Sequence, residues 1–473
     1  MMTHETQQHR KRSLLFLLAV LLLLLTSLAS CSRRSQYEDQ LESTKDTQPA
    51  LPLEEQTDLN GFIGSPSEDY ALPIIKKTGE TPYFSGKTED ELKTMWLKNE
   101  VRPEISILPT GKVFGDTFYN KLTGNMSKWC ADPLCECDSE ACIWAYGYSI
   151  LYVSHDWLYF SVENQIHGYG LYRCDHQRNN IEFLYEIPAF YESDGQNGGY
   201  GYWEAIESLY EEDGKLYFAG QAYEAGKGSL FAWKVLDLAT KEVTVLYTGK
   251  SDQFVVAIMD GNVYYHYGNQ EGTKQIIYKT DLSFEAHEEV FKAMKISSYN
   301  DTHMVLRGYI QKNGYNPYYL YDISTGQMTE LPGGGDKYNF KLSGNYVYYQ
   351  DRVMGEELAD DPFAEYYSFT WKGNKTARTD GAGKLYRMNI ATGERECVLQ
   401  LTYKDVPVRI EFYEPDGEVV YVSFRNHEEF ENFYNHGEFD ESVEYDAHSC
   451  VVDLHRGILT FLEFPNEDEQ NTA

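Results

Sequence analysis

Basic side chains are scarce in this chain: 41 Lys and Arg stand against 74 Asp and Glu, a formal charge of -33 over 473 residues. Such a surface repels phosphate backbones and anionic headgroups, which excludes nucleic acid as a partner and leaves no basic patch to hold a membrane. Catalytic signatures are missing as well. There is no Gly-x-Ser-x-Gly elbow, no His-Glu-x-x-His helix and no phosphate-binding loop; Gly199-Tyr200-Gly201 and Gly333-Gly334-Gly335 read as turn glycines. No Asp-x-Asp-x-Asp-Gly loop offers a calcium site. Carboxylates are so abundant that no pair can be singled out for glycoside hydrolysis.

Long apolar runs are also wanting. The longest, Leu14 to Leu25, is interrupted by Thr26 and Ser27, well short of the about 20 residues that cross a bilayer. Arg10, Lys11 and Arg12 precede it and Leu28-Ala29-Ser30-Cys31 closes it. A cationic stub, a short greasy stretch and small residues before one Cys resemble a bacterial lipoprotein signal peptide over residues 1–30, with Cys31 acylated as the new N-terminus. The alternative is an ordinary anchor that ends in Cys. Ser32 is not the aspartate associated with inner-membrane retention. On the lipoprotein reading the protein is extracytoplasmic and held to the cell membrane by its acyl chains. Cleavage removes three bases and one acid, Glu5, leaving a mature charge of -35.

Residues 31–58 are Ser, Gln, Glu, Thr, Asp and Pro with few large apolar side chains. They bury too little to offset their ordering entropy and read as a disordered tether, with a reach on the order of 90 Å when extended. Residues 59–104 form an extended lead-in with a short helix predicted over Glu89 to Leu97, the folded body spans 105–464, and 465–473 is a disordered tail. Within the body, Ala and Leu are scarce while the chain carries 40 Tyr and 15% aromatic residues. That balance favours strands, whose pleated surface suits aromatic and β-branched side chains.

Two phrases alternate along the body. A turn followed by an aromatic strand occurs at Asp156-Trp157-Leu158-Tyr159-Phe160, Asp213-Gly214-Lys215-Leu216-Tyr217-Phe218 and Asp260-Gly261-Asn262-Val263-Tyr264-Tyr265. Weaker copies span 301–306, 343–349 and 416–421. A strand ending in an acidic or amide turn follows each, as in Leu171-Tyr172-Arg173-Cys174-Asp175, Ile277-Tyr278-Lys279-Thr280-Asp281, Tyr319-Leu320-Tyr321-Asp322 and Leu385-Tyr386-Arg387-Met388-Asn389. Asp-Gly supplies the positive torsions of a tight hairpin, and Val263 and Tyr265 alternate with Tyr264 and His266 as in a two-faced strand. Repetition every roughly 41 to 72 residues predicts four-stranded antiparallel blades stacked radially into an all-β propeller. Six units are complete, at 147–188, 205–250, 253–293, 296–333, 337–402 and 409–464; a partial one of about three strands, 105–130, standing alone makes seven blades, the favoured count, and merged with the last makes six, the alternative. A β-sandwich is the competing architecture.

These phrases, behind the Cys31 motif and the tether, resemble an uncharacterised group of lipidated β-propeller lipoproteins of Gram-positive anaerobes, related in architecture to TolB-like propellers. The resemblance covers 105–464 and implies a fold, not an activity.

Cys130, Cys135, Cys137 and Cys142 crowd one stretch. The related group is similar there, with a Cys-x4-Cys-x-His-x4-Cys element in which Cys137 takes the place of His. Cys and His exchange as zinc donors but not as disulfide partners, so the resemblance favours one structural zinc, while paired disulfides are what export would ordinarily give. Either staples a loop between blades. Cys174, Cys397 and Cys450 stand alone and read as small apolar residues.

Three insertions break the rhythm: Phe190 to Trp203, Glu356 to Thr379 and Asn426 to His448. Their aromatics, Tyr191, Tyr200, Tyr202, Trp203, Tyr366, Tyr367, Trp371, Phe433 and Tyr434, lie among carboxylates and are the ligand-binding candidates. Flat rings beside acids stack on sugars, accept their hydroxyl hydrogen bonds or clamp a cationic peptide; the alternative is that they pack the loops onto the blade edges. The leading expectation is a monomeric, non-catalytic propeller that binds a glycan or an envelope protein through its loop face. A glycan-active hydrolase or lyase with carboxylates near the central channel is the rival, and a structural or sensory accessory to an envelope complex is a third reading.

Overall fold

The computed structural model describes residues 70–71, 79, 81, 83–95, 106–108, 111–114, 117–130, 132, 135, 142–144, 148–164, 168–193, 199–224, 228–250, 253–259, 261–268, 275–308, 317–331, 337–351, 368–371, 374–377, 383–426 and 448–462. Among them, seven antiparallel sheets follow one another along the chain, at 106–128, 148–186, 189–250, 253–291, 293–330, 337–400 and 409–461. Six have four strands and the third has five. A hairpin of Ser368–Trp371 and Asn374–Ala377 is inserted between the second and third strands of the sixth sheet.

Both faces of each sheet are covered by its neighbours, which is why the aromatic strands carry bulky residues in unbroken runs. On the second strand of the fourth sheet, Val263 and Tyr265 pack against the third sheet while Tyr264, between them, packs against the fifth. In the sixth sheet, Val347 and Tyr349 face the fifth and Tyr348 faces the seventh. In the seventh, Val420 and Val422 face the sixth while Val419 and Tyr421 turn to the first. A period of two with both sets buried is the signature of a sheet sandwiched on both sides.

The packing is cyclic. Consecutive sheets share clusters from the first and second, around Phe118 and Leu158, to the sixth and seventh, around Leu385 and Ile410. The seventh then meets the first, with Tyr421 and Val451 against Tyr119. From the second sheet to the seventh one strand of each adjoins that of the next, the first strand in every case but the third sheet, where it is the second, Gly199–Glu212, so these strands line the axis. In those six sheets this inner strand is bulged against the strand that follows it, at Ile150/Tyr152, Ile206/Ser208, Val255/Ala257, Ile296/Ser298, Tyr338/Lys341 and Ile410/Phe412. A bulge sharpens local twist, which suits strands converging on one axis. This is a β-propeller.

The first sheet is complete in itself, with strands Ser106–Leu108, Gly111–Phe114, Thr117–Asn120 and Met126–Lys128. The three-strand expectation for this unit is thereby corrected, and the sheet does not merge with the last one. Its strands are short, however, and cannot cover the face the seventh sheet presents. The lead-in fills the gap. Phe84 and Leu92 complete the cluster between first and seventh sheets. The amide of Gly79 donates to the carbonyl of His455 at 3.1 Å, and Tyr83 lies against Gly417, at φ 62°. The helix is Glu89–Met95, and the last two residues of the expected span, 96–97, lie outside the described residues. It opens on a capping box in which the Thr88 amide donates to Glu91 Oε2 at 2.7 Å and the Glu91 amide to Thr88 Oγ1 at 3.2 Å. Lys121 and Asp416, both buried, tie first to seventh at 2.6 Å.

Candidate functional site

The link from the fourth strand of the first sheet to the first strand of the second carries the cysteines. Trp129, fully buried, anchors its start against Phe118 and Trp144. Lys128 Nζ donates to the carbonyl of Cys135 at 3.3 Å, and the Cys135 amide donates to that of Asp132 at 3.2 Å, folding the link back on itself. As a result the sulfurs of Cys130, Cys135 and Cys142 lie within 4.8 Å of one another, Cys130 and Cys142 at 3.7 Å. No bond joins any pair of the described sulfurs. Cys137 lies outside the described residues. Three thiols at this separation can converge on one tetrahedral ion with Zn–S bonds of about 2.3 Å.

Against Trp129, the residue before Cys130, packs an arginine that has no local signal in the sequence. Arg178 belongs to the turn between the third and fourth strands of the second sheet and is 1% exposed. Its guanidinium lies 4.8 Å from the centroid of Trp129 and 5.4 Å from that of Phe118, and none of its three nitrogens has a hydrogen-bond partner. Burial pulls its pKa down to about 10; Cys174, Cys130 and Asp175 oppose that pull. The carboxylate of Asp175 is occupied by the Asn179 amide at 2.7 Å and by Asn180 Nδ2 at 2.8 Å.

The isolated cysteines behave as expected in two cases: Cys174 and Cys450 are fully buried, and burial raises the Cys174 thiol. Cys397 is half-buried on an outer strand.

The insertions share one edge of the ring. In an antiparallel sheet whose strands follow chain order, links from the second strand to the third and from the fourth to the next sheet lie at the same end. The link of 352–383 joins second to third strand in the sixth sheet and 426–447 does so in the seventh, while the second sheet passes to the third at 187–188, just before the strand Ala189–Ser193. The first of the sequence insertions is not a plain loop: Ala189–Ser193 pairs with Gly199–Trp203, setting Tyr200 opposite Glu192, Tyr202 opposite Phe190 and Tyr191 opposite Gly201. The second strand of this sheet, Gly199–Glu212, has 14 residues against 7 in the first strand of the next sheet. For Tyr191, Tyr200, Tyr202, Trp203 and Trp371 only the backbone is described; Cys31, Tyr366, Tyr367, Phe433 and Tyr434 lie outside the described residues. The opposite edge is closed by tight turns, in which Asp237, Asp322, Asn389 and Asp453 accept backbone amides two or three residues on.

No family model and no curated protein matches the sequence. Among solved structures it is similar to the acylaminoacyl peptidase of Pyrococcus horikoshii at 12% identity, with 81% of this chain and 55% of that one covered and a TM-score of 0.45. It is similar to TolB of Acinetobacter baumannii at 12% identity, covering 76% and 77% with a TM-score of 0.31. The propeller domain of the Trilobed protease of Pyrococcus furiosus matches at 10% identity, covering 55% and 86% with a TM-score of 0.30. The chain spans about half the length of the peptidases it matches. Likeness at this level carries no substrate or reaction across, and the ring rests on its own strand order and packing. Among the described residues no helix is long and apolar enough to cross a membrane.

Proposed function

We propose that this protein is a lipid-anchored, extracytoplasmic propeller of seven blades that binds a ligand or partner protein, without catalysing a reaction, through the edge bearing the three insertions. The observation that carries the reading is the common placement of those insertions. Three separately interrupted links leave and re-enter the ring on one side, two of them from adjacent sheets, while the other side is trimmed to tight turns. Loops gathered on a rigid scaffold are where binding concentrates. The two longer segments are acidic and aromatic, with Asp360, Asp361, Tyr366 and Tyr367 in one and Glu428, Glu429, Phe433 and Tyr434 in the other. That chemistry suits hydroxyl-rich sugars or a cationic peptide. Cys31 and the tether behind it support the anchor, since the acid-rich body offers anionic lipid nothing to hold.

The test is an array of glycans and cationic peptides probed with the full-length protein and with variants in which 352–383 and 427–447 are replaced by short turns. Binding by the parent that is lost in shortened variants of unchanged unfolding temperature is the expected result. No binding at all rejects the reading, and turnover of a bound glycan transfers the protein to the hydrolase or lyase alternative. Cys31→Ser is expected to abolish incorporation of labelled acyl chains and release the protein from the membrane fraction.

A further inference from the structure

The turn that carries Arg178 has an internal control. Asp175-His176-Gln177-Arg178 in the second sheet and Asp281-Leu282-Ser283-Phe284 in the fourth occupy the same place between third and fourth strands. In each the fourth residue's amide donates to the carbonyl of the aspartate, at 2.9 and 3.1 Å, and in each that residue has positive φ, 65° and 63°. Each sends its side chain into the interface with the preceding sheet. Phe284 meets Phe231, Trp233 and Tyr247, an apolar site filled by an apolar side chain. Arg178 enters an equally aromatic site, between Phe118 and Trp129, with its guanidinium unpartnered. A cation is kept in such a place only if an anion is there to meet it. The nearby unassigned chemistry is the group of sulfurs that begins at Cys130, one residue past Trp129.

We propose that Cys130, Cys135 and Cys142 bind one zinc(II) as thiolates and that Arg178 is the buried counter-ion of that centre. Each thiol gives up its proton on binding, so three thiolates and one divalent ion sum to a single negative charge, which the guanidinium cancels. A disulfide between Cys130 and Cys142 would be neutral and would leave the arginine uncompensated. Soft sulfur donors at tetrahedral separation select zinc over calcium or magnesium. This inference is independent of the ligand reading, because it concerns sulfurs and an arginine packed where the first and second sheets meet and uses none of the three insertions.

The test uses the full-length, detergent-solubilised protein with zinc and cobalt as the only probes. One zinc per chain is expected by elemental analysis, with the Ser variants of Cys130, Cys135 and Cys142 each losing it, and cobalt loading is expected to give a thiolate charge-transfer band. Arg178→Met is expected to weaken zinc binding about 10- to 100-fold, while Arg178→Lys keeps most of the affinity. In the metal-stripped protein Arg178→Met should unfold at the same or a higher temperature than the parent. Metal-free protein whose intact mass is short by the hydrogens of a disulfide overturns the centre. Zinc affinity unchanged in Arg178→Met, or a metal-stripped Arg178→Met that fails to fold where Arg178→Lys folds, overturns the counter-ion role.

Discussion

At the residue scale, one glycine decides where a buried charge can go. Glu204, fully buried on the second strand of the third sheet, reaches across the third strand to Lys234 on the fourth at 2.6 Å. It passes over Gly220, where a Cβ would stand 2.8 Å from the carboxylate. Removing one partner strands the other without solvent, so Lys234→Met is expected to cost about 3–5 kcal/mol in urea denaturation. Adding Glu204→Gln should restore much of that loss, and Gly220→Ala should damage the parent more than the double variant. His176 gives a second expectation. Its Nε2–H donates to the Ser154 carbonyl at 3.0 Å, yet burial first and the Lys93 charge second lower its pKa to about 4. The unfolded chain takes up this proton near pH 6.5, so between the two values the unfolded state binds more protons and stability rises with pH, falling as acid is added. The contribution is complete above about pH 6.5 and lost as pH drops through about 4, a difference of about 3 kcal/mol. Denaturation curves of His176→Gln across that window should be flatter by this amount.

At the element scale, the lead-in closes the ring. The hydrophobic strand phrases are legible in sequence because alternation of period two and Asp-Gly turns are local signals. The segment 79–95 is not, since Phe84 and Leu92, with Tyr83 packed beside them, join a core that draws on Val419 and Val451, more than three hundred residues away, as well as on Tyr119. The capping box of Thr88 and Glu91 could have been read, being the Thr-x-x-Glu pattern, and it fixes where the helix starts. Leu92→Ala is expected to cost about 2–5 kcal/mol. Hydrogen exchange should then speed up in the strands around Tyr119 and Tyr421 before those of the third and fourth sheets, because only one interface loses its filling. Equal acceleration throughout would show that the clasp and the ring are a single cooperative unit. Gln177 Nε2 donates to Glu89 Oε1 at 2.9 Å, so the helix also touches the second sheet, beside His176 and Arg178.

At the scale of the whole molecule, charge and symmetry act together. The acidic chain can attract a cationic ligand over a Debye length of about 8 Å at physiological salt. A cationic peptide held at the insertion edge is expected to bind more weakly as salt rises, whereas a neutral glycan held by stacking should show little change in titration calorimetry. The third sheet, lengthened at that edge, and the sixth and seventh, with their inserted links, stand apart in the cyclic order. Seven interfaces repeat the same strand-face alternation, yet they are not equivalent. One is plugged by the lead-in and one has Arg178 packed on Trp129, next to Cys130, while the Lys234–Glu204 pair ties strands within the third sheet.

The sequence by itself determined the strands, the turns and their repetition, since each depends on residues a few positions apart: the Asp-Gly hairpins, the alternation of Val263, Tyr264 and Tyr265, the Asx turns at Asp322 and Asn389. Only the tertiary structure decided that the short first sheet is a sheet of its own, that the lead-in seals it to the seventh through Phe84 and Leu92, and that Arg178 packs on Trp129, next to Cys130. Those outcomes depend on which faces meet when a linear array of sheets bends into a ring, and contacts between distant segments leave no period or spacing in the chain to be read.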